Sequence, residues 1–115
     1  MRESRRFIRT VEISSQMVEQ AHDILAALGH EGETLRRLGV RRLALFGSAV
    51  RGELRADSDL DFLVELQPKT FDSYMDVKEF LESHFSHSID LVLRSALKPE
   101  LRDGILREAV DARLD

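Results

Sequence analysis

The residues best suited to chemistry in this sequence are aspartates that fall in strand-like segments. Asp59 and Asp61 flank a single residue, and because alternate side chains of a strand share a face, both carboxylates should point the same way. Two carboxylates so close repel each other and raise one pKa unless a cation lies between them. Mg²⁺ prefers oxygen ligands, so the pair is a candidate metal site.

A third aspartate, Asp90, lies inside the apolar run Ile89–Leu93 (IDLVL). An unpaired carboxylate is costly to bury in such a strand. If this strand lies beside the strand of Asp59 and Asp61, Asp90 completes a three-carboxylate site that can hold two metal ions. Asp90 would then also be placed to act as a base.

A glycine-serine pair, Gly47 and Ser48, follows the apolar segment Arg42–Phe46 and precedes an expected helical turn. Backbone N–H groups at such a turn bind anions, and glycine lets a phosphate approach the backbone. Arg51, one turn further on, would either reach phosphate oxygens or pair with a surface carboxylate. Each feature alone has an ordinary structural explanation, but together they supply phosphate binding, metal binding and a base.

Helices and strands must alternate along the chain to position these groups. Strands are predicted, from continuous or alternating apolar residues, over Arg42–Phe46, Asp59–Leu66 and Ser88–Leu93. Helices are predicted, from apolar residues at helical spacing, over Ser15–Leu28 with Gly29 as a stop, over Glu33–Leu38, over Phe71–Phe85, and from Pro99 onward with Leu101 on its apolar face. The pattern favours an α/β or α+β two-layer fold, a sheet covered by helices.

Composition sets limits on the class of protein. A length of 115 residues fits one domain, 1–115. A net charge of −4 argues against stable DNA binding through phosphate neutralisation. No apolar run is long enough for a membrane span, no signal peptide is recognisable, and there is no cysteine, so we expect a cytoplasmic protein.

The sequence resembles the polymerase-β-type nucleotidyltransferases at the residues described above. Their signature is Gly-Ser, about ten residues, Asp-x-Asp and a later third Asp, and here ten residues separate Ser48 from Asp59. The segment LALFGSAVRGELRADSDLDFLVEL is similar to the minimal branch of that superfamily, including Ser58 before Asp59. The similarity covers residues 35–110, so that residues 1–30 would form an N-terminal helical extension.

This resemblance implies a short mixed β-sheet flanked by helices and a transfer of AMP from ATP to a hydroxyl, with release of pyrophosphate. It implies two Mg²⁺ ions and the following residues: Asp59, Asp61 and Asp90 as catalytic and metal-binding groups, and Gly47, Ser48, Arg51 and Ser58 as nucleotide-binding groups.

Many proteins of the minimal branch are similar to the antitoxin of a toxin-antitoxin pair whose toxin is a helical HEPN ribonuclease. There the antitoxin attaches AMP to a tyrosine of the toxin, which is the acceptor that the resemblance implies. Two alternatives stay open on the sequence. The chain could be a binding module that neutralises its partner by occlusion, or a transferase acting on a small molecule such as an aminoglycoside.

Overall fold

The computed structural model describes residues 13–114. Helices and strands alternate along most of this range. The helices are α1 (Ile13–His30), α2 (Gly32–Arg37), α3 (Phe71–Phe85) and α4 (Pro99–Glu108). The strands are β1 (Val40–Phe46), β2 (Leu60–Leu66), β3 (Ile89–Leu93) and β4 (Val110–Asp111), and single 3₁₀ turns cover Gly47–Ala49 and Arg94–Ala96. No helix among these is long and apolar enough to cross a membrane.

The strands form one mixed sheet in the order β3-β2-β1-β4. Strand β1 runs antiparallel to both β2 and β4, whereas β2 and β3 are parallel. The predicted short mixed sheet flanked by helices is confirmed. Strand β4 was not predicted, because it is two exposed residues long and has no apolar pattern. Its Asp111 accepts hydrogen bonds from Arg42 on β1, at 2.8 and 3.1 Å.

Apolar side chains cover both faces of the sheet. The larger cluster joins the sheet to α1, α2 and α3 and surrounds the fully buried Phe62. The smaller cluster, centred on Phe46 and Leu63, packs against Ile105 and Leu106 of α4. Because alternate residues of β2 face opposite sides, Asp61 shares the α4 side with Leu63, while Phe62 faces the larger cluster.

The prediction that Gly29 stops the first helix is wrong, since α1 continues to His30. A Cβ on Gly29 would lie 3.3 Å from the Arg113 carbonyl oxygen, and one on Gly32 only 2.3 Å from that of Leu114. These glycines therefore allow the residues after β4 to pack closely against the α1–α2 junction.

Two residues predicted to lie on apolar helix faces are exposed. Phe71 is 76% exposed and Leu101 54% exposed. Each lies in the first turn of its helix, whereas the buried or half-buried apolar side chains of α3 and α4, such as Leu81 and Ile105, lie in later turns.

Helix α3 is linked to β3 by a side-chain hydrogen bond, which Tyr74→Phe would remove. The Tyr74 hydroxyl donates to the Leu91 carbonyl oxygen at 2.6 Å. We expect Tyr74→Phe to lower the free energy of unfolding by about 1 kcal/mol, measured by urea denaturation. Phe71→Ser, at an exposed position of the same helix, should change it by less than about 0.5 kcal/mol. Equal midpoints for Tyr74→Phe and the original protein would contradict the expectation.

Candidate functional site

The predicted site residues meet at one edge of the sheet. Strand β1 ends at this edge, and because β2 runs antiparallel to β1 and parallel to β3, both β2 and β3 begin there. Phe46 of β1 lies opposite Asp61 of β2, and Asp61 lies opposite Asp90 of β3. Gly47 follows Phe46 directly. The fold therefore brings the glycine turn and two of the three aspartates together.

Asp61 is the most strongly perturbed carboxyl of this edge. Its pKa rises from 3.8 to about 6, first because burial disfavours the charged form, and then because of the negative charges of Asp90 and Asp59 and a hydrogen bond to Asp90. Asp90 is exposed on the edge strand β3, and Asp59 is exposed immediately before β2. The half-buried Asp61 thus lies among like charges.

The chemistry of these groups suits a hard cation such as Mg²⁺. All the donors are carboxylate oxygens, which Mg²⁺ prefers. Burial is the main cause of the raised pKa of Asp61, and a positive ion would offset the repulsion from Asp90 and Asp59 that raises this pKa further. Among the described side chains, no three histidine, aspartate or glutamate groups are arranged so that they could hold a metal ion. The assignment of Asp59, Asp61 and Asp90 as ligands stays a prediction.

Gly47 begins the 3₁₀ turn with a backbone that suits only glycine. Its φ of +80° lies in the left-handed region, and a Cβ at this position would lie 2.0 Å from Oδ2 of Asp61. The turn consequently packs directly on the perturbed carboxyl. A group bound by this turn would also be close to Asp61.

The serines predicted to bind nucleotide lie at opposite ends of the loop between β1 and β2. The Ser48 carbonyl oxygen accepts from the Glu53 N–H at 2.8 Å. The Ser58 hydroxyl oxygen accepts from the Arg55 N–H at 3.1 Å, and the Ser58 carbonyl oxygen is hydrogen-bonded to Nε2 of His87. Both serines thus help to shape the loop that leads into Asp59.

A glutamate that the sequence did not single out, Glu108, joins the site from the end of α4. Its Oε2 accepts from the Gly47 N–H at 2.7 Å, and its Oε1 accepts from Nη1 of Arg51 at 2.7 Å. Arg51 also donates from Nε to Glu53 at 3.1 Å, and the two carboxylates raise its pKa. Arg51 thus pairs with two carboxylates in this structure, and its assignment as a nucleotide-binding residue stays a prediction.

Only one sequence signal could have identified Glu108. It is a negative side chain in the last turn of a helix, where the helix dipole disfavours negative charge. Such a residue needs a positive or hydrogen-bonding partner elsewhere. Nothing in the sequence says that the partners are Gly47 and Arg51.

A groove of about 360 Å³ opens on the other side of β2. Its lining is formed by α1, the loop before Asp59 and the α3–β3 connection, and includes Ile24, Leu54, Leu60, Phe85 and His87. Leu60 separates Asp59 from Asp61 in the chain, so the groove adjoins the carboxylates. The lining also includes Asp23 and Arg55, so the groove offers apolar, aromatic and charged contacts.

Taken together, a glycine turn and clustered carboxylates at one edge of a mixed sheet suit a protein that acts on phosphate esters with a divalent cation. Residues 30–112 match the family model described as the nucleotidyltransferase domain. The chain therefore belongs to the nucleotidyltransferase domain family, and the prediction of this class of enzyme is confirmed.

Individual relatives agree with this assignment. The protein adenylyltransferase MntA of Thermococcus cleftensis is 38% identical over 94 residues, which cover 81% of this chain and 93% of MntA. A solved minimal nucleotidyltransferase is 37% identical, with a TM-score of 0.63 over 75% of this chain and 93% of that chain.

A more distant similarity concerns the fold alone. It is to a chain of the complex between the tri-AMPylated Shewanella oneidensis HEPN toxin and an MNT antitoxin. The identity is 16% and the TM-score 0.55, over 76% of this chain and 71% of that chain.

The contact between Gly47 and Asp61 predicts a steric penalty for any side chain at residue 47. Gly47→Ala should lower the free energy of unfolding by about 1 to 3 kcal/mol, because the new Cβ meets Oδ2 of Asp61 and φ is positive. Gly104→Ala is the matched control, since a Cβ there meets nothing within 4 Å. As Gly104 lies inside α4, alanine should stabilise by about 0.5 to 1 kcal/mol. Equal effects at both positions, measured by chemical denaturation, would contradict the steric argument.

The raised pKa of Asp61 predicts how stability depends on pH without added metal. A carboxyl whose folded-state pKa lies above its unfolded value contributes its stability fully below 3.8 and loses it as pH rises through about 6. Asp61→Asn cannot ionise, so it should raise the melting temperature at pH 7.5 by more than at pH 4. Calorimetry at both pH values checks this. The expectation is wrong if the melting temperatures of the variant and the original protein differ by the same amount at pH 4 and at pH 7.5.

Proposed function

We propose that this protein transfers AMP from ATP to a hydroxyl of a partner protein, with Mg²⁺ as the metal, and so acts as the antitoxin of a toxin-antitoxin pair. The proposed acceptor is a tyrosine of a HEPN toxin, and the proposed location is the cytoplasm. The observation that carries the proposal is the meeting of the Gly47 turn with Asp61 and Asp90 at one sheet edge.

The similar proteins support the choice of reaction. The relative that is 38% identical is named as a protein adenylyltransferase, so its acceptor is a protein. Its alignment spans nearly the whole of that relative and most of this chain. The fold-level similarity to an MNT antitoxin bound to an AMPylated HEPN toxin suggests the class of partner. The tyrosine and the metal rest on the resemblance of the motif.

The proposed roles follow from where each residue lies. Asp59 and Asp61 would hold Mg²⁺ together with phosphate oxygens, with Asp90 as a further ligand, and the metal would supply positive charge to the triphosphate. Ser48 would bind phosphate oxygens at the turn. Ser58 would act through the loop whose shape it maintains.

The transfer itself needs a base and an aligned acceptor. Asp90, exposed at the sheet edge, is reachable by an acceptor hydroxyl from a partner. It would accept the tyrosine proton as the phenolic oxygen bonds to the α-phosphorus and pyrophosphate leaves. The remaining catalysis is alignment of the two reactants, which the turn and the docked partner would provide.

The reaction can be tested directly on a co-expressed candidate toxin. Incubation with ATP and Mg²⁺ should add one or more AMP masses to the toxin, detected by intact-mass spectrometry. Asp61→Asn should reduce the rate at least about 100-fold, because it removes a charge on which metal binding would depend. A toxin labelled equally fast by a folded Asp61→Asn variant would refute the assignment of this residue.

Neutralisation by occlusion makes a different prediction from neutralisation by AMP transfer. In cells that express the toxin, Asp59→Ala should fail to restore growth if transfer is required. Tyr74→Phe, which keeps all three aspartates, serves as the control and should still restore growth. Rescue by Asp59→Ala, with a stable complex and no mass shift, would favour the occluding module.

A further inference from the structure

We propose that Glu108 is a positioning residue, which fixes the phosphate-binding turn and Arg51 without itself touching the nucleotide. The proposal rests on the proposed function for what the turn binds. Its structural basis is separate, because it depends only on contacts within the chain.

Both carboxylate oxygens of Glu108 are used, each at a short distance. One accepts from the Gly47 N–H and the other from Arg51, both at 2.7 Å. The Glu108 side chain is 24% exposed, compared with 49% for Arg51. Hydrogen bonds to an ionised acceptor are roughly twice as strong as neutral ones. Glu108 thus forms a bridge of two strong bonds at a partly shielded position.

Two carboxylates lie next to Gly47, and one of them is bonded to it. Asp61 lies where a Cβ would be, and Glu108 accepts from its N–H. Glycine has more backbone freedom than any other residue, and its φ of +80° here is one of many values open to it. The bond to Glu108 reduces that freedom, so the turn keeps a defined position relative to Asp61.

The same contacts change how phosphate recognition can work. The Gly47 N–H is already bonded to Glu108, and the Arg51 guanidinium is bonded to Glu108 and Glu53. The single Gly47 N–H is therefore not free to bind phosphate in this arrangement, whereas Arg51 keeps further N–H donors. Recognition at the turn then falls to Ser48 and to the remaining N–H groups of Arg51, whose guanidinium is held in place by Glu108 and Glu53.

A competing possibility is that Glu108 occupies the turn and is displaced when ATP binds. Displacement would leave its carboxylate without either partner, close to the turn that contacts Asp61. A partly buried carboxylate without partners is costly. The geometry therefore favours a Glu108 that stays bonded to Gly47 and Arg51 when ATP binds, over a Glu108 that ATP displaces.

The bridge can be tested with Glu108→Ala and a matched control, Asp111→Ala. Asp111, three residues after Glu108, also pairs through both oxygens with an arginine, Arg42 of β1, and has no hydrogen bond to Gly47. ATP affinity in the presence of Mg²⁺ is measured by calorimetry, and the Gly47 amide is followed by ¹⁵N NMR. We expect Glu108→Ala to shift the Gly47 amide resonance and to weaken ATP binding about tenfold, as expected for loss of a charge-assisted contact.

Asp111→Ala should leave both the ATP dissociation constant, within about twofold, and the Gly47 resonance unchanged. Glu108→Gln, which keeps an oxygen for the Gly47 N–H but loses the charge, should fall between the original protein and Glu108→Ala. In AMP transfer, the loss should appear in KM for ATP more than in kcat, because the bridge orders the turn before chemistry.

Several outcomes would overturn the proposal. Tighter ATP binding by Glu108→Ala would show that Glu108 competes with ATP for the turn. Unchanged ATP binding would show that the bridge plays no part in nucleotide binding. An unshifted Gly47 resonance in Glu108→Ala would show that the bridge is absent in solution. If the original protein binds no ATP, the proposed function fails, while the Gly47 resonance still decides whether Glu108 holds the turn.

Discussion

The partial burial of Asp61 beside two other carboxylates, at one edge of the sheet, is the constraint on which the site depends. Burial first, and then the charges of Asp90 and Asp59, raise the pKa of Asp61, so the folded protein disfavours the charged form of this side chain. The cost is tolerable because the opposite side of the same strand is firmly packed, with Phe62 and Leu60 almost fully buried. The buried side chains of β2 thus stabilise a strand that also carries Asp61, whose charged form does not favour folding.

Helix α4 contributes both to the packing of the sheet and to the position of the site. Its apolar residues cover the second face of the sheet through Ile105 and Leu106, and its last residue, Glu108, reaches the turn after β1. The packing of α4 against the sheet consequently also affects the position of the Gly47 turn. A substitution that loosens the smaller apolar cluster would therefore also disturb the Gly47 turn, although it lies away from the aspartates.

The sequence was informative wherever the signal was local. Asp59 and Asp61 stand two residues apart, Gly47 follows a strand, and Pro99 opens a helix, and each of these features depends on nearby residues only. Glu108 and β4 escaped prediction because they are defined by tertiary contacts: Glu108 and Gly47 are 61 residues apart, and β4 exists only because it pairs with β1. The prediction that Gly29 ends the first helix was wrong for the same reason, since the position of this glycine is explained by its close approach to Arg113.

The separation of Gly47 from Glu108 also bears on the order in which the protein matures during synthesis. Strand β1 and its turn leave the ribosome well before α4, which carries the group that holds them. At about 5 to 20 residues per second, translation of the intervening segment takes several seconds. During that interval Asp59 and Asp61 are made early and Asp90 late, and the nascent chain lacks the bridge to the turn until Glu108 is made. The nascent protein therefore acquires its complete site late, after most of its sheet has been made.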